Sequence, residues 1–273
     1  MKLKKKAKMM IVLSIVASLL SGCGFGETKI EYERLVKALD EGDMKTVMSA
    51  SDDGYAYVTQ RGIYSTFEQK EDGEHSKTIR QTTEGVYNTK DKSLYGEAIQ
   101  TVATDIEKDK GKRTNENYKK ETIYSTHVKY ENGQVKSPDS NLDVSYVNLI
   151  VDRNGIGKLK MKPEDDIKKF DQPNSVGYRI TESEFKNIIN NKLKIQYDEF
   201  DGATIVLHLD APKNPKQILQ MRIDIDFKEK NEDGKVVENM FQIITYFNRK
   251  QDNNQDARQE YLKYKVQYNK RDG

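Results

Sequence analysis

The stretch LQMRIDIDFK at residues 219–228 alternates between apolar and polar side chains without a break. Every odd position is apolar and every even position is polar, and this period of two is typical of a strand with one buried face. The turn signal Asp233-Gly234 follows, and VVENMFQIITYF then continues with strand-forming residues. The two segments predict a hairpin, and because a lone hairpin is barely stable, more strands must join it.

Strand-like segments of the same kind recur on both sides of this hairpin. They are YAYVTQ (55–60), TIRQTTEGVYNT (78–89), YGEAIQTVATDI (95–106), YKKETIYSTHVKYE (118–131), VSYVNLIVD (144–152) and ATIVLHLD (203–210). Gly, Asn and Asp mark the turns between most of them. Consecutive strands with short turns predict antiparallel meanders that bury one face and leave the other in water. Near the C-terminus, the alternation of Leu262, Tyr264, Val266 and Tyr268 predicts a last strand.

Two regions carry helical signals. Residues 30–50 place Leu35 and Leu39 on one side of a first short helix and Val47 on a second, which predicts a helical hairpin packed on a sheet. Thr181 and Glu184 have the spacing of a capping box, in which each side chain bonds the backbone N–H of the other residue. We therefore expect a helix from Glu182 to about Leu193.

These elements predict the α+β class, with antiparallel β-sheet meanders and short packing helices arranged as two similar units. The first unit is a helical hairpin plus sheet at residues 29–153, and the second is a helix plus sheet at 178–273. Residues 154–177 are polar and contain two prolines, so we interpret them as a linker.

The N-terminus differs from the rest of the chain. Five lysines precede the apolar run Met9–Leu20, which is short for a membrane span of about 20 residues and typical of a secretory signal. Leu20-Ser21-Gly22-Cys23 follows, and this tetrad resembles the lipobox of bacterial lipoprotein precursors. The resemblance implies a signal peptide at 1–22, cleavage by signal peptidase II between Gly22 and Cys23, and a diacylglyceryl group on Cys23. An uncleaved single-pass anchor is the alternative.

That processing would leave residues 23–28 as a lipidated tether and would place the protein on the extracytoplasmic face of the cell membrane. The chain is rich in Lys, Asn and Ile, a usage that is typical of low-GC bacteria and favours a Gram-positive envelope. In general character the chain is similar to lipoproteins of Bacillus-type bacteria. Loss of the five lysines changes the net charge from +2 to −3, so no basic excess favours a nucleic-acid partner. Cys23 is the single cysteine of the chain, which excludes a disulfide within it.

Motifs of known chemistry are absent or already explained. His75, His127 and His208 are far apart and lack a second ligand at metal-binding spacing. Ser183 and Lys186 form an S-x-x-K sequence without the companion Lys-Thr-Gly, and the same segment caps a helix. We therefore expect no catalytic residue, no metal and no cofactor other than the covalent lipid.

Two functions of different classes follow from this. The first is a non-enzymatic interaction or structural module that presents a sheet face to a protein or polymer of the envelope. The second is a carrier of a hydrophobic ligand, because helices followed by a meander are similar in outline to the lipoprotein-carrier fold. In that case we expect the ligand cavity to be lined by Leu35, Leu39, Val47, Val58, Val86 and Val102. An enzyme of unfamiliar chemistry remains a third alternative.

Overall fold

The computed structural model describes residues 33–48, 50–107, 117–132, 134–144, 175–190, 193–211, 216–247 and 256–270. Their main feature is one antiparallel sheet of nine strands in the order β5-β4-β3-β2-β1-β9-β8-β7-β6. The strands are β1 (Tyr55–Lys70), β2 (Gly73–Asn88), β3 (Ser93–Glu107), β4 (Lys119–Glu131), β5 (Gln134–Lys136), β6 (Ser175–Ile180), β7 (Glu199–Leu209), β8 (Ile218–Lys230) and β9 (Val236–Phe247).

The two halves of the chain meet in the middle of this sheet. β1 pairs with β2 on one side and with β9 on the other, from Val58 opposite Phe247 to Phe67 opposite Glu238. The strands of both predicted units therefore lie in one continuous hydrogen-bonded sheet. The fold is mainly β with a few short helices, and the division into two similar units stays a prediction. Most of the predicted linker lies outside the described residues, although its last three residues, 175–177, begin β6.

The helical hairpin predicted near the N-terminus is confirmed. Residues 33–41 form helix α1, and Met44–Val47 forms α2, whose cap Asp43 accepts a hydrogen bond from the backbone N–H of Thr46. Both helices pack on one side of the sheet, which we call the helix-bearing face. Leu35, Leu39 and Val47 are fully buried there against residues of the first strands.

The capping box is also confirmed. The Thr181 side chain accepts a hydrogen bond from the Glu184 N–H, and the Glu184 carboxylate accepts one from the Thr181 N–H at 2.8 Å. Only the first turn, α3 (Glu182–Glu184), is α-helical, and Phe185–Asn190 continues as a π-helix. Phe185 and Ile189 anchor this segment in the main core, on the helix-bearing face of the second half.

The strand predicted at the C-terminus is wrong, because Ala257–Asn269 forms a helix, α4. The tyrosines that suggested alternation also fit helical spacing, and helical geometry brings Tyr261 and Tyr268 onto Tyr95 of the sheet. The ring centroids lie 5.2 and 5.7 Å from that of Tyr95. α4 covers the face opposite to α1 and α2, where Tyr57, Val86, Tyr95, Ala257 and Tyr261 form a second, smaller core.

The alternation in β8 is confirmed from Met221 to Phe227, whose odd-numbered side chains are buried. Leu219 is the exception, with 39% of its surface exposed, because the register between β7 and β8 shifts there. No helix among the described residues is both long enough and apolar enough to cross a bilayer.

Candidate functional site

The residues proposed to line a ligand cavity occupy three different environments. Leu35, Leu39, Val47 and Val58 are at most 1% exposed and belong to the main core, so side chains fill the helix-covered end of the sheet. Gly22 and Cys23, the proposed cleavage and lipidation residues, lie outside the described residues.

Val86 lies on the other face of the sheet from those four residues. The β1–β2 register pairs Val86 with Tyr57, whereas Val58 pairs with Gly85. Since neighbouring positions on a strand point to opposite faces, Val58 joins the main core and Val86 joins the core beneath α4. Val102 is half-buried and lines an open concavity. Val58 also borders a separate depression of about 300 Å³, next to Glu260 and Tyr264 of α4.

That concavity consists of two adjoining parts on the helix-bearing face, beyond α1 and α2. The first part has a volume of about 470 Å³ and lies where β1 and β9 bring the two halves of the chain together. Its walls combine sheet residues with residues from two connecting segments. The lining residues are Tyr64, Ile79, Asp143, Leu193, Ile195, Gln196, Glu229 and Phe241.

The second part has a volume of about 340 Å³ and extends toward β4. It shares Ile79 and Asp143 with the first part, so the two parts adjoin, and together we call them the apolar groove. The other residues that line the second part are Gln100, Val102, Ile123, Tyr124, Asn141 and Leu142.

A β-bulge shapes the second part of the groove. Gln100 pairs with Tyr124 and Thr101 pairs with Thr122, so Ile123 is an extra residue of β4 without a partner in β3. A bulge breaks the strict alternation of side chains along a strand. As a result Ile123 and Tyr124, which are adjacent in sequence, both line the groove, and half of the Ile123 surface is exposed.

Tyr124 and Gln81 attach the segment at residues 137–144 to the sheet. The Tyr124 hydroxyl donates to the Gln81 side-chain oxygen at 3.1 Å and to the Asp143 carbonyl oxygen at 3.0 Å. The Gln81 amide nitrogen donates to the Val144 carbonyl oxygen at 3.2 Å. Burial, with the nearby Asp143 carboxylate, raises the pKa of Tyr124 to about 12, so the hydroxyl stays protonated as a donor.

Asn190 forms the opposite wall. Its side chain bonds both backbone groups of Ile195: the amide nitrogen donates to the carbonyl oxygen at 2.9 Å, and the Ile195 N–H donates to the amide oxygen at 2.7 Å. Lys194, between them, has a left-handed backbone with φ of 57°. This closed turn holds Leu193 and Ile195 toward the groove.

Tyr64 is a polar residue in the floor of the groove. Its hydroxyl lies 3.1 Å from the Asn239 side-chain oxygen and 3.4 Å from a Glu229 carboxylate oxygen. Burial and the Glu229 charge raise the pKa of Tyr64 to about 12. Asp143 and Glu229 are acidic, and among the residues that the structure describes none that lines either part of the groove is basic. The groove therefore combines apolar walls with a negative potential.

The three histidines lie apart from the groove and from one another. His75 contacts Asp72 at 2.8 Å, and His127 lies 3.6 Å from Glu97. His208 lies 2.6 Å from the Ser175 hydroxyl, directly across the β6–β7 pair, and burial with the Arg222 charge lowers its pKa. In the part of the chain that the structure describes, no three potential ligands from His, Cys, Asp and Glu come together to hold a metal.

A cluster of polar and charged side chains lies around Asp224 of β8. Asp224 contacts the Arg222 side chain at 2.8 Å and accepts a hydrogen bond from Gln242 at 2.6 Å. These three residues lie on the face opposite the groove, where Thr204, Gln242 and Asp224 are register neighbours. A cross-strand polar network accounts for them.

Comparison with known families gives one match. Residues 18–135 match the model of a family described as a domain of unknown function, DUF3952. This match covers less than half of the chain and includes α1, α2 and the strands β1 to β4. No curated protein matches the chain.

Proposed function

We propose that this chain is a membrane-anchored extracytoplasmic lipoprotein that works as a non-enzymatic interaction module of the cell envelope and holds its partner in the apolar groove. The observation that carries the binding role is the groove itself. Two hydrogen-bonded segments, one fixed by Tyr124 and the other by Asn190, frame an open apolar depression instead of collapsing onto the sheet. Preformed concavities with apolar walls and few polar groups are typical of binding sites.

The chemistry of the lining favours binding over catalysis. Its two tyrosines have a raised pKa near 12, so neither is a base at neutral pH. The Ser175–His208 pair, which could suggest a nucleophile, lies on the opposite face of the sheet, since His208 pairs with Gln220 while its neighbour Leu207 is in the main core. The groove thus offers shape, apolar surface and hydrogen-bond acceptors.

The acidic lining restricts the partner. Asp143 and Glu229 would repel a carboxylate or phosphate, and no cation among the described lining residues offsets them. We therefore expect an apolar partner segment that is neutral or positively charged at its polar end. A protein segment with aliphatic and lysine side chains fits this description.

The anchoring role is supported by the charge, apolar run and tetrad at residues 2–23. In a Gram-positive cell, Cys23→Ala is expected to abolish incorporation of labelled palmitate and to release the protein from the membrane fraction. Mature-sized protein that still partitions with membranes in the Cys23→Ala strain would contradict this role.

The groove is tested by blocking it at its centre. Ile79 lines both parts and is half-buried, so Ile79→Trp would fill the junction. The matched control is Ile99→Trp, because Ile99 is 42% exposed on β3 and pairs with Thr82, on the face opposite to the groove. A photo-crosslinker at Val102 should capture a partner in cells, and Ile79→Trp should abolish capture while Ile99→Trp preserves it. Equal capture by both variants would overturn the assignment.

A carrier of a small hydrophobic ligand is the second candidate, and the groove volumes favour it. Both parts fall in the range of roughly 300–1,000 Å³ common for small-molecule sites. Native mass spectrometry of the mature chain should then show a bound amphiphile that the Ile79→Trp variant lacks. This site differs from the predicted cavity. Among the six residues expected to line that cavity, Val102 lines the groove.

A further inference from the structure

The exposed side of α4 carries aliphatic side chains that the proposed binding in the groove does not explain. Leu262 and Val266 are 47% and 52% exposed, and they are four residues apart, so they lie side by side on the outer surface of the helix. The inner side of the same helix carries Ala257 and Tyr261, which are buried against the sheet. Two adjacent aliphatic side chains in water are costly unless something covers them.

Cations surround this aliphatic pair. Arg258, Lys263, Lys265 and Lys270 are all exposed on or next to α4, together with the N-cap carboxylate of Asp256. The Lys265 ammonium lies at the edge of the helix, 5.8 Å from the centroid of the Tyr95 ring. The one acidic residue of the helix, Glu260, is turned to the protein, where the Tyr57 hydroxyl donates to its carboxylate at 2.7 Å. The outer side of α4 therefore combines two aliphatic side chains with a positive potential.

Two lysines of the neighbouring strands enlarge this basic area. Lys129 and Lys136 lie near Lys265, and together the three lower the pKa of the Glu131 carboxyl, with Lys129 as the closest partner at 2.8 Å. Glu131 neutralises only part of their charge. We call the surface formed by Leu262, Val266 and these cations the α4 surface.

The α4 surface lies at the same end of the sheet as the N-terminal helices. Tyr57 contacts the α4 side, and its neighbour Val58 packs in the core that holds α1. Nine residues separate Cys23 from the start of the described α1 at residue 33, and these ten residue steps reach about 35 Å at most. A bilayer that held a lipid on Cys23 would be within reach of this end of the protein.

We propose that the α4 surface docks on an anionic lipid bilayer, with Leu262 and Val266 inserted at the headgroup level and the surrounding lysines and arginine paired with lipid phosphates. Positive charge is complementary to an anionic membrane, and aliphatic residues on the same helix face add burial at the interface. This goes beyond the proposed partner binding, and it rests on the proposed lipid anchor only for its orientation. Docking would fix which way the groove faces above the membrane.

The test uses residues 23–273 with Cys23→Ser, which retain every described residue and lack the lipid. Cosedimentation is measured with vesicles of phosphatidylcholine alone and of phosphatidylcholine mixed with phosphatidylglycerol. We expect binding to the mixed vesicles, weak binding to the neutral ones, and loss of binding at high salt. Each cation contributes slightly more than about fivefold to the partition coefficient. The double substitution Lys263→Gln with Lys265→Gln should therefore lower the partition coefficient about thirtyfold.

The aliphatic pair is tested with a matched control. Leu262→Ser with Val266→Ser should lower partitioning to the mixed vesicles, whereas Val236→Ser should not, because Val236 is 59% exposed but lies at the start of β9, at the opposite end of the sheet. Equal binding to both vesicle types, or an equal loss in the Val236→Ser control, would overturn the proposal.

A second copy of the chain is the competing occupant of the α4 surface. Light scattering of the same protein without vesicles should show a monomer. A dimer that dissociates on Leu262→Ser with Val266→Ser would overturn membrane docking. Because the assay omits the lipid and does not use the groove, its failure leaves both parts of the proposed function standing, and the crosslinking assay at Val102 tests the groove separately.

Discussion

The Tyr124 hydroxyl donates a hydrogen bond to the side-chain oxygen of Gln81, a residue with no exposed surface, across a distance of 3.1 Å. The same hydroxyl contacts the Asp143 carbonyl oxygen, and the Gln81 amide reaches the Val144 carbonyl oxygen. Two polar side chains from β2 and β4, the strands on either side of β3, thus hold the backbone of a connecting segment. The groove exists on this side because that segment is held away from Ile79 and Val102.

Removing the hydroxyl should loosen this wall. Tyr124→Phe leaves the buried side-chain oxygen of Gln81 and the Asp143 carbonyl oxygen without this donor, so we expect the free energy of unfolding to fall by about 1–3 kcal/mol. Hydrogen exchange should accelerate in the segment at 137–144 more than in the sheet. Tyr118→Phe is the control, since Tyr118 is 49% exposed, and it should change stability by less than about 0.5 kcal/mol. Equal effects of the two variants would contradict the role given to the Tyr124 hydroxyl.

A second prediction concerns the contact between β2 and β3. Gly96 pairs with Gly85, and a Cβ at Gly96 would collide with the Glu84 carbonyl oxygen and come within 2.7 Å of the Gly85 Cα. Backbone atoms in the middle of a sheet cannot move aside cheaply, so Gly96→Ala should cost more than about 3 kcal/mol in urea unfolding.

The matched control for this substitution is Gly202→Ala. Gly202 also lies in a strand, but a Cβ there meets no atom within 4 Å. Because alanine restricts the unfolded chain more than glycine does, Gly202→Ala should leave stability unchanged or raise it slightly, by up to about 1 kcal/mol. A mild effect of Gly96→Ala would show that the two strands can separate locally.

Alkaline pH should destabilise the protein through its buried tyrosines. The pKa values of Tyr64, Tyr124 and Tyr264 are raised to about 12, in each case chiefly by burial, against about 10 in the unfolded chain. Below pH 10 all three are protonated in both states, so they cause no pH dependence. Between pH 10 and 12 the unfolded state releases protons that the folded state keeps, so the free energy of unfolding falls.

Urea unfolding between pH 8 and 12 measures this slope. Tyr264→Phe should reduce the proton release on unfolding near pH 11 by about one proton, whereas Tyr118→Phe should leave it unchanged. An identical slope in the wild-type and Tyr264→Phe proteins would contradict the raised pKa.

Local signals predicted the elements well, and non-local register explains what they missed. Sequence patterns identified β1 to β4, β7 to β9, the helical hairpin and the capping box of Thr181. They could not assign strands to faces. Val58 and Val86 both look like core residues of neighbouring strands, but the register that pairs Val58 with Gly85 sends Val86 to the other face. Only the length of the β1–β2 turn and the packing beneath α4 decide this.

The groove was missed for related reasons. Its first part depends on the pairing of β1 with β9, which are about 180 residues apart in the chain. The second part depends on the bulge at Ile123, a residue that strict alternation would assign to the other face from Tyr124. The C-terminal helix shows a third difficulty, because Tyr264 and Tyr268 satisfy both strand and helix periods. The spacing of Ala257 and Tyr261 was the signal that could have favoured the helix.

The wall formed by Asn190 gives the last prediction. Asn190→Ala removes both hydrogen bonds to Ile195, and the left-handed turn at Lys194 then depends on the backbone bond from the Lys194 N–H to the Asn190 carbonyl oxygen at 2.9 Å. We expect stability to fall by about 1–2 kcal/mol and the positions of Leu193 and Ile195 to vary. Binding of 1-N-phenylnaphthylamine, a neutral apolar dye, should weaken because these two side chains line the groove.

Asn187→Ala provides the comparison, because Asn187 is exposed on the same π-helix and its side chain makes one long hydrogen bond, of 3.5 Å to Ser183, within the described part of the chain. It should change neither stability nor dye fluorescence. Ile79→Trp should reduce dye binding without exposing Leu193, which separates filling of the groove from loss of its wall. If Asn190→Ala destabilised the protein while dye binding stayed at the wild-type level, the turn would be structural only, and the apolar groove would take its ligand through the part lined by Val102.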